Sequence, residues 1–207
     1  MSIKVTRFYN KPVNSNCYII QTRKNCLIID PGSRDSNELI EYIQNNNLEP
    51  DYFIITHEHF DHIAGLNSLR QRYSIPVIAS DICSEMIQDP KKNLSVFFDQ
   101  IGFSCNAAEI KIIQKEDCLE WHDHTILFLK TPGHARGSIC FQLSSLLFTG
   151  DTIIPDNKTV IKLPGGNKTI LRESLEKIFR MYNGSTKIYP GHGKISKLSS
   201  ISIDTLL

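Results

Sequence analysis

The 207-residue sequence has no CxxC pair among its six cysteines and no long apolar run. A membrane-spanning helix requires roughly 20 consecutive apolar residues, and no run in this chain approaches that length. The first eight residues also lack the apolar region of a secretory signal. We therefore expect a cytoplasmic protein with no membrane partner. Its cysteines should be reduced, because disulfides are rare in that compartment.

The sequence also has little excess of charge of either sign. Twenty-three Lys and Arg residues stand against 22 Asp and Glu residues, which gives a formal net charge of +1. Nucleic-acid-binding domains usually carry a strongly basic face, so this balance predicts no nucleic-acid partner. The Lys91-Lys92 pair is too short to change that expectation and is predicted to be solvated surface. The oligomeric state stays open.

Internal repeats, low-complexity tracts and inter-domain linkers are missing as well, and 207 residues suffice for one substantial domain over residues 1–207. Strand patterns are mixed with helix patterns, which indicates a layered α/β or α+β domain. Predicted strands cover residues 3–9, 17–21, 26–29, 52–55, 77–79, 109–113, 125–129, 138–143, 146–148 and 187–189. Predicted helices cover 36–44, 62–73, 82–88 and 171–182, and residues 90–105 are predicted to form a loop or lid.

The segment His57-Glu58-His59-Phe60-Asp61-His62 directly follows the apolar strand predicted at 52–55. Three imidazoles and two carboxylates within six residues would be costly to bury without partners, and protonated imidazoles would repel one another. A divalent cation removes both problems, because neutral imidazole and carboxylate are its natural ligands. The segment therefore predicts a metal site at the end of this strand.

Three further ligand-type residues follow predicted strands, each after Gly or Pro. They are His134 in Thr-Pro-Gly-His, Asp151 in Thr-Gly-Asp, and His192 in Pro-Gly-His. Layered folds usually place their sites where strand ends meet at one edge of a sheet, so we expect these side chains to converge. The alternative for each is a turn residue that caps a backbone group.

Other polar residues are predicted to have supporting roles. Asp30, before Pro31-Gly32, is predicted to bind loop amides or to orient a ligand histidine. Glu58 is expected to be solvated or to support a ligand. His122 and His124 are placed in a hairpin turn, and Trp121 is assigned to core packing.

The order HxHxDH, TPGH, GD and PGH, preceded by Ile29-Asp30-Pro31-Gly32, resembles the metallo-β-lactamase superfamily and, within it, the glyoxalase II branch. The motifs extend over essentially the whole chain. The resemblance implies an α+β fold, a four-layer αββα sandwich with its site at the sheet edge. It also implies that His57, His59 and His134 hold one divalent ion, that Asp61, His62 and His192 hold a second, and that Asp151 bridges the two.

The resemblance further implies a hydrolase that uses a metal-bridging hydroxide, with the two ions roughly 3.5–4 Å apart. Asp61 and Asp151 are the candidates to accept or shuttle a proton. A site of nitrogen and oxygen ligands suits zinc, iron or manganese, and zinc is our expectation. The expected substrate is a small acyl thioester such as a 2-hydroxyacyl-glutathione.

Several other activities stay open. A lactone or another ester would use the same site, and a mononuclear-iron persulfide dioxygenase is a different reaction on a similar sequence. A nuclease and a non-catalytic scaffold are further alternatives. Antibiotic-hydrolysing members of the commonest type have arginine or cysteine where this chain has His62 and Asp151, which argues against that activity.

Overall fold

The computed structural model describes residues 2–106, 110–113 and 117–207. One six-stranded sheet contains, in spatial order, β1 (Lys4–Tyr9), β2 (Asn16–Thr22), β3 (Asn25–Ile29), β4 (Glu49–Ile54), β5 (Val77–Ser80) and β6 (Ile110–Ile113). The second has the order β12-β11-β10-β9-β8-β7 and contains β7 (Cys118–Trp121), β8 (His124–Lys130), β9 (Ile139–Leu143), β10 (Leu146–Gly150), β11 (Lys187–Pro190) and β12 (Ser196–Lys197).

Helices accompany both sheets. They are α1 (Asn37–Asn45), α2 (Phe60–Ile63), α3 (Leu66–Tyr73), α4 (Asp81–Met86), α5 (Ser95–Asp99), α6 (Lys168–Met181) and α7 (Ile203–Leu206), with a 3₁₀ turn at Leu198–Ser200. No helix in the described segments combines the length and apolar character needed to span a bilayer. All six cysteines are free thiols, and Cys118 is the exposed one.

Each sheet combines antiparallel and parallel pairing. β1, β2 and β3 pair as antiparallel neighbours, whereas β3 to β6 pair in parallel. In the second sheet β7 to β10 are antiparallel, and β10 and β11 are parallel. Parallel neighbours end at the same edge of a sheet. The residues that follow β3 and β4, and those that follow β10 and β11, are therefore brought to common edges.

Three apolar layers hold the sheets and helices together. Alternate residues of both sheets, among them Tyr18, Phe141 and Phe148, form the layer between the sheets. Phe141 stacks on Phe148 with ring centroids 4.7 Å apart. A second layer joins the first sheet to α1, α3 and α4, and a third joins the second sheet to α6 and α7. The chain thus has the expected α+β, four-layer αββα architecture.

The helix predicted at 62–73 is wrong in its start and in its continuity. α2 begins at Phe60, two residues earlier than predicted. The helix is then interrupted, with Gly65 directly before the start of α3 at Leu66. The break follows from packing, because the Gly65 N–H donates to the Pro31 carbonyl at 2.9 Å. A Cβ at Gly65 would lie 2.3 Å from the Ser33 carbonyl oxygen. This long-range contact leaves no periodic trace in the sequence.

The predicted loop at 90–105 contains a short helix, α5. The Asn93 side chain donates to the carbonyls of Ile87 and Phe103, at 3.1 and 2.8 Å, and so closes this segment. The strand predicted at 109–113 is β6; its first residue, Glu109, lies outside the described residues. β7, β12 and α7 were not predicted, although β7 and β8 form the hairpin whose turn contains His122.

Trp121 packs in the layer between the sheets, as predicted, and is 2% exposed. Its indole N–H donates to the Asp51 carboxylate at 2.8 Å. A buried indole usually finds such a partner, because the ring is apolar but its N–H is not.

Candidate metal centre

The seven predicted site residues lie together where four strands end. His57 and His59 occupy the loop after β4, and Asp61 and His62 belong to α2. His134, Asp151 and His192 follow β8, β10 and β11. The sequence motifs are therefore close in space because the sheets align their strand ends. Six of the seven residues are buried, and His192 keeps 25% of its side chain exposed.

The ligand-type atoms form two groups with a shared carboxylate. Those of His57, His59 and His134 lie within 4.8 Å of one another, as do those of Asp61, His62 and His192. Asp151 Oδ2 lies 3.5 Å from Nε2 of His134 and 3.5 Å from Nε2 of His192. Asp151 thus stands between the two groups, in the arrangement that the sequence resemblance implies.

Hydrogen bonds set the tautomer of His57. The Thr56 hydroxyl donates to Asp30 Oδ2 at 2.6 Å, so its oxygen is left to accept. His57 Nδ1 lies 3.1 Å from that oxygen and must donate to it. A neutral imidazole carries one N–H, so the lone pair of His57 is at Nε2. This nitrogen is buried and has no hydrogen-bond partner.

The Nδ1 atoms of His62 and His134 also have hydrogen-bond partners. His62 Nδ1 lies 3.0 Å from Asp30 Oδ2, and His134 Nδ1 lies 2.7 Å from the Val160 carbonyl oxygen. A carbonyl can only accept, so His134 Nδ1 donates and its Nε2 carries a lone pair. Asp30 thus orients both His57, through Thr56, and His62. The predicted contact of Asp30 with loop amides and with a histidine of the cluster is therefore present.

The cluster leaves polar atoms that a cation would satisfy. Within the described part of the chain, His57 Nε2, His62 Nε2 and Asp151 Oδ1 are buried and have no hydrogen-bond partner. Each such atom costs about 1–3 kcal/mol when it is left unpaired. All three lie in one group whose ligand atoms are within 4.8 Å of one another. Imidazole and carboxylate are suitable ligands for a divalent ion, so these residues fit a metal.

Electrostatics distinguish His62 from His57 and His59. Burial, and then repulsion from neighbouring imidazoles, holds the pKa of His57 well below its usual value and lowers the pKa of His59 to about 3. Burial also acts to lower the pKa of His62, but Asp61 and Asp151 outweigh it and raise that pKa to about 10. His57 and His59 are therefore neutral near pH 7, the form in which an imidazole can bind a cation. A cation bound at His62 would displace its proton.

Glu58 is buried, so the first of its two predicted roles, that of a solvated side chain, is wrong. It is 2% exposed, and its carboxylate accepts the backbone N–H groups of Arg136 and Gly137 at 3.1 Å each. These bonds tie the His57–His59 loop to the loop that carries His134. Burial is the main influence on Glu58 and raises the pKa of its carboxyl group.

Two supporting residues were missed by the sequence analysis. The Ser15 hydroxyl donates to the Asp61 carbonyl at 2.5 Å, and the Asn10 amide donates to the Asp30 carbonyl at 3.0 Å. Both lie between β1 and β2, far from the motifs in the chain. Their positions carried no signal, because polar residues in a turn are common for local reasons.

Two motif glycines are required by close approach. A Cβ at Gly32 would lie 1.5 Å from the Asp61 carbonyl oxygen, and one at Gly191 would lie 2.1 Å from Asp151 Oδ1. Any larger residue would displace a carboxylate-bearing segment of the cluster. Gly32 and Gly191 thus make room for the cluster.

The hydroxyl of Thr56 allows a direct test of the hydrogen bonds that run from Asp30 through Thr56 to His57, which we call the relay. We expect Thr56→Val to weaken metal binding about 10–100-fold, the usual effect of losing a residue that orients a ligand. Thr56→Ser keeps the hydroxyl and should keep the wild-type affinity. Titration of chelator-treated protein with Zn²⁺ measures both. Equal affinities for the valine and serine variants would contradict the relay.

Comparisons with known proteins agree with this geometry. A family model described as the metallo-beta-lactamase superfamily matches residues 10–192. A probable metallo-hydrolase of Methanocaldococcus jannaschii, MJ0888, is 31% identical over 91% of this chain and 92% of its own length. A probable metallo-hydrolase of Bacillus subtilis, YqgX, is 28% identical over 88% of this chain and 86% of its own.

A solved structure with the same fold is that of BLEG-1, described as a B3 metallo-beta-lactamase. It superimposes with a TM-score of 0.89 at 26% identity and covers 95% of both chains. The two-sheet sandwich with a histidine and aspartate cluster where its strands end defines a class of metal-dependent hydrolases. The chain belongs to the metallo-beta-lactamase superfamily.

Proposed function

We propose that this protein is a two-metal hydrolase of small acyl thioesters, in the manner of glyoxalase II, with a 2-hydroxyacyl-glutathione as the leading substrate. The observation that carries the proposal is the pair of ligand groups, each with three residues, that share Asp151. Relatives that are probable metallo-hydrolases support the hydrolytic part. The thioester part rests on the order and spacing of the sequence motifs.

The proposed roles follow from the donor set. His57, His59 and His134 would hold one divalent ion, Asp61, His62 and His192 the other, and Asp151 would contact both. When bound, such a pair supplies a water of lowered pKa and polarises a carbonyl group. Zinc is the proposed metal, and iron and manganese suit the same ligands.

Asp61 and Asp151 are the proposed proton acceptors. One carboxylate oxygen of each lies 3.6 Å from Nε2 of His62, whose side chain is completely buried. His192 Nε2 lies 3.1 Å from Asp61 Oδ2 and is the most exposed member of the cluster. The Asp61 side chain is itself 11% exposed, so a proton that it accepts from the attacking water can be released to solvent.

We assign the acyl group to a cavity of about 460 Å³. Its lining includes Tyr9, Phe60 and Phe98, and Phe60 stands between His59 and Asp61 in the chain. Phe98 of α5 stacks on Phe60 with ring centroids 4.7 Å apart. Lys11, Arg34, Asp35 and Glu38 also line the cavity, which has the size of a typical small-molecule site.

Hydrolysis of S-D-lactoylglutathione tests the proposal. Zinc-loaded protein should turn it over with a kcat/KM of about 10⁴ M⁻¹s⁻¹ or more, within the usual range for enzymes. Prior chelation should abolish the rate, and restored zinc should restore it. Absence of turnover by protein that retains its metal would reject this substrate class.

A β-lactam is a second candidate substrate, because the BLEG-1 structure matches at 26% identity with a TM-score of 0.89. The same zinc-loaded protein can be assayed with a chromogenic cephalosporin. A kcat/KM for the cephalosporin above that for the thioester would replace our first proposal. Antibiotic-hydrolysing members of the commonest type have arginine or cysteine at the positions of His62 and Asp151. We therefore expect kcat/KM to be lower for the cephalosporin than for the thioester.

A further inference from the structure

We propose that a basic groove beside His134 binds anionic groups on the thiol-bearing half of the substrate. We define the basic groove by its cationic residues Lys91, Lys92 and Arg136. This inference deepens the proposed thioesterase function and rests on it. It names the chemistry of the leaving group: a thiol that carries carboxylates or phosphates.

The basic groove has the size of a ligand site. It encloses about 860 Å³, towards the upper end of the usual range for small-molecule pockets. Ile82, Met86 and Ile170 contribute apolar walls, and residues 164–167 form part of the lining. A molecule with both an apolar and an anionic part would match this lining.

The charge of the groove is concentrated relative to the rest of the protein. Three cationic side chains line it against one carboxylate, that of Glu85. The whole chain has a formal net charge of only +1. Among residues 2–106, 110–113 and 117–207, no side-chain ion pair involves Lys91, Lys92 or Arg136. The cations are therefore available to an anionic ligand.

Both cationic segments are tied to the loops of the metal cluster. The Phe60 N–H, next to His59, donates to the Asn93 carbonyl at 2.8 Å and so fixes the turn that carries the two lysines. The Arg136 N–H donates to Glu58 at 3.1 Å. The backbone that carries the three cations is therefore anchored to the loops of the cluster.

Arg136 is placed as a binding residue rather than as a structural one. It is exposed, although every other residue from Gly133 to Cys140 is buried. A Cβ at Gly165 would lie 3.3 Å from Arg136 Cγ. The aliphatic part of the Arg136 side chain therefore packs beside a glycine. Pro132 and Gly133, directly before His134, also line the groove. A ligand in the groove is thus adjacent to the loop that carries a metal-ligand residue.

Two common thiol carriers share the required chemistry. Glutathione bears carboxylates and coenzyme A bears phosphates, and guanidinium and ammonium groups bind both. We prefer neither from the groove alone, since three cations of this kind serve either anion. The experiment below has one arm for each carrier.

The test compares the triple variant Lys91→Gln, Lys92→Gln and Arg136→Gln with the wild type. The substrates are lactoyl thioesters of glutathione, of coenzyme A and of uncharged N-acetylcysteamine. We expect KM for the favoured anionic thioester to rise about tenfold, because exposed charge pairs are individually weak but act together here. We expect kcat to change less than KM, and the uncharged thioester to be affected little. Added salt should reduce the wild-type advantage.

A matched control removes three exposed lysines elsewhere, as Lys24→Gln, Lys111→Gln and Lys197→Gln. It should behave as the wild type with all three thioesters. An equal rise in KM in both triple variants would assign the effect to net charge and overturn the basic groove. Equal KM values in the wild type and the groove variant would overturn it as well.

Calorimetric titration of zinc-loaded protein with free glutathione and with free coenzyme A separates this inference from the proposed function. Loss of binding in the groove variant alone would support the groove even if no thioester is hydrolysed. Hydrolysis without any dependence on the groove cations would support the thioesterase and reject the groove. The carrier that binds the wild type more tightly identifies the anion.

Discussion

Replacing Asp151 with asparagine is expected to lower kcat/KM by roughly 10³-fold, the scale of losing one charged or polar group that acts on the reacting atoms. Asp151 lies 3.5 Å from His134 Nε2 and from His192 Nε2, so its carboxylate reaches a member of each ligand group. The amide keeps the shape but removes the charge that would bind two cations. We expect the variant to hold about one metal ion where the wild type holds two.

Asp156→Asn is the matched control, because Asp156 is exposed and pairs with Lys194 on the surface. It should keep both ions and full activity, since exposed ion pairs contribute little. Metal content by mass spectrometry and steady-state rates are measured on the same samples. An Asp151→Asn protein with two ions and wild-type kcat/KM would refute the bridging role.

Replacing Asp30 with asparagine is expected to have the largest effect on stability. Asp30 is 2% exposed and accepts from the Thr56 N–H at 2.8 Å, from the Thr56 hydroxyl at 2.6 Å and from His62 Nδ1 at 3.0 Å. An asparagine has one acceptor oxygen and cannot satisfy all three donors. We expect the free energy of unfolding to fall by about 3 kcal/mol, as for a broken buried ion pair.

Urea unfolding of chelator-treated protein measures this loss without any contribution from bound metal. Asp123→Asn, in the exposed hairpin turn, is the control and should unfold as the wild type does. Zinc affinity should also fall about 10–100-fold in Asp30→Asn, because the rings of His57 and His62 lose their orientation. An unchanged unfolding midpoint and an unchanged zinc affinity would show that the Asp30 carboxylate does not hold Thr56 and His62 in place.

The sequence predicted the cluster well because its chemistry is local. His57 to His62 contains more ligand-type side chains than a buried structural segment can tolerate, and His134, Asp151 and His192 each follow a strand and a glycine. Strand ends meet at sheet edges, so these distant motifs were expected to converge. Asp30 was recognised in the same way, as a carboxylate at the end of a buried strand.

The supporting contacts could not be predicted, because they depend on tertiary packing. One of the two predictions for Glu58 left it exposed to solvent. In the structure its carboxylate accepts backbone N–H groups from the loop that carries His134. The break at Gly65 follows from contact with Ser33, far from any local helix signal. The Lys91-Lys92 pair looked like ordinary solvated surface, since only the fold places Arg136 in the same groove.

Anomalous diffraction from crystals of the metal-loaded protein tests the central claim most directly. It locates each ion, and absorption edges distinguish zinc, iron and manganese. We predict two ions per chain, one in contact with His57, His59 and His134 and the other in contact with Asp61, His62 and His192, with Asp151 touching both. A single ion held by the first group would contradict the two-metal account and favour a mononuclear enzyme such as a persulfide dioxygenase.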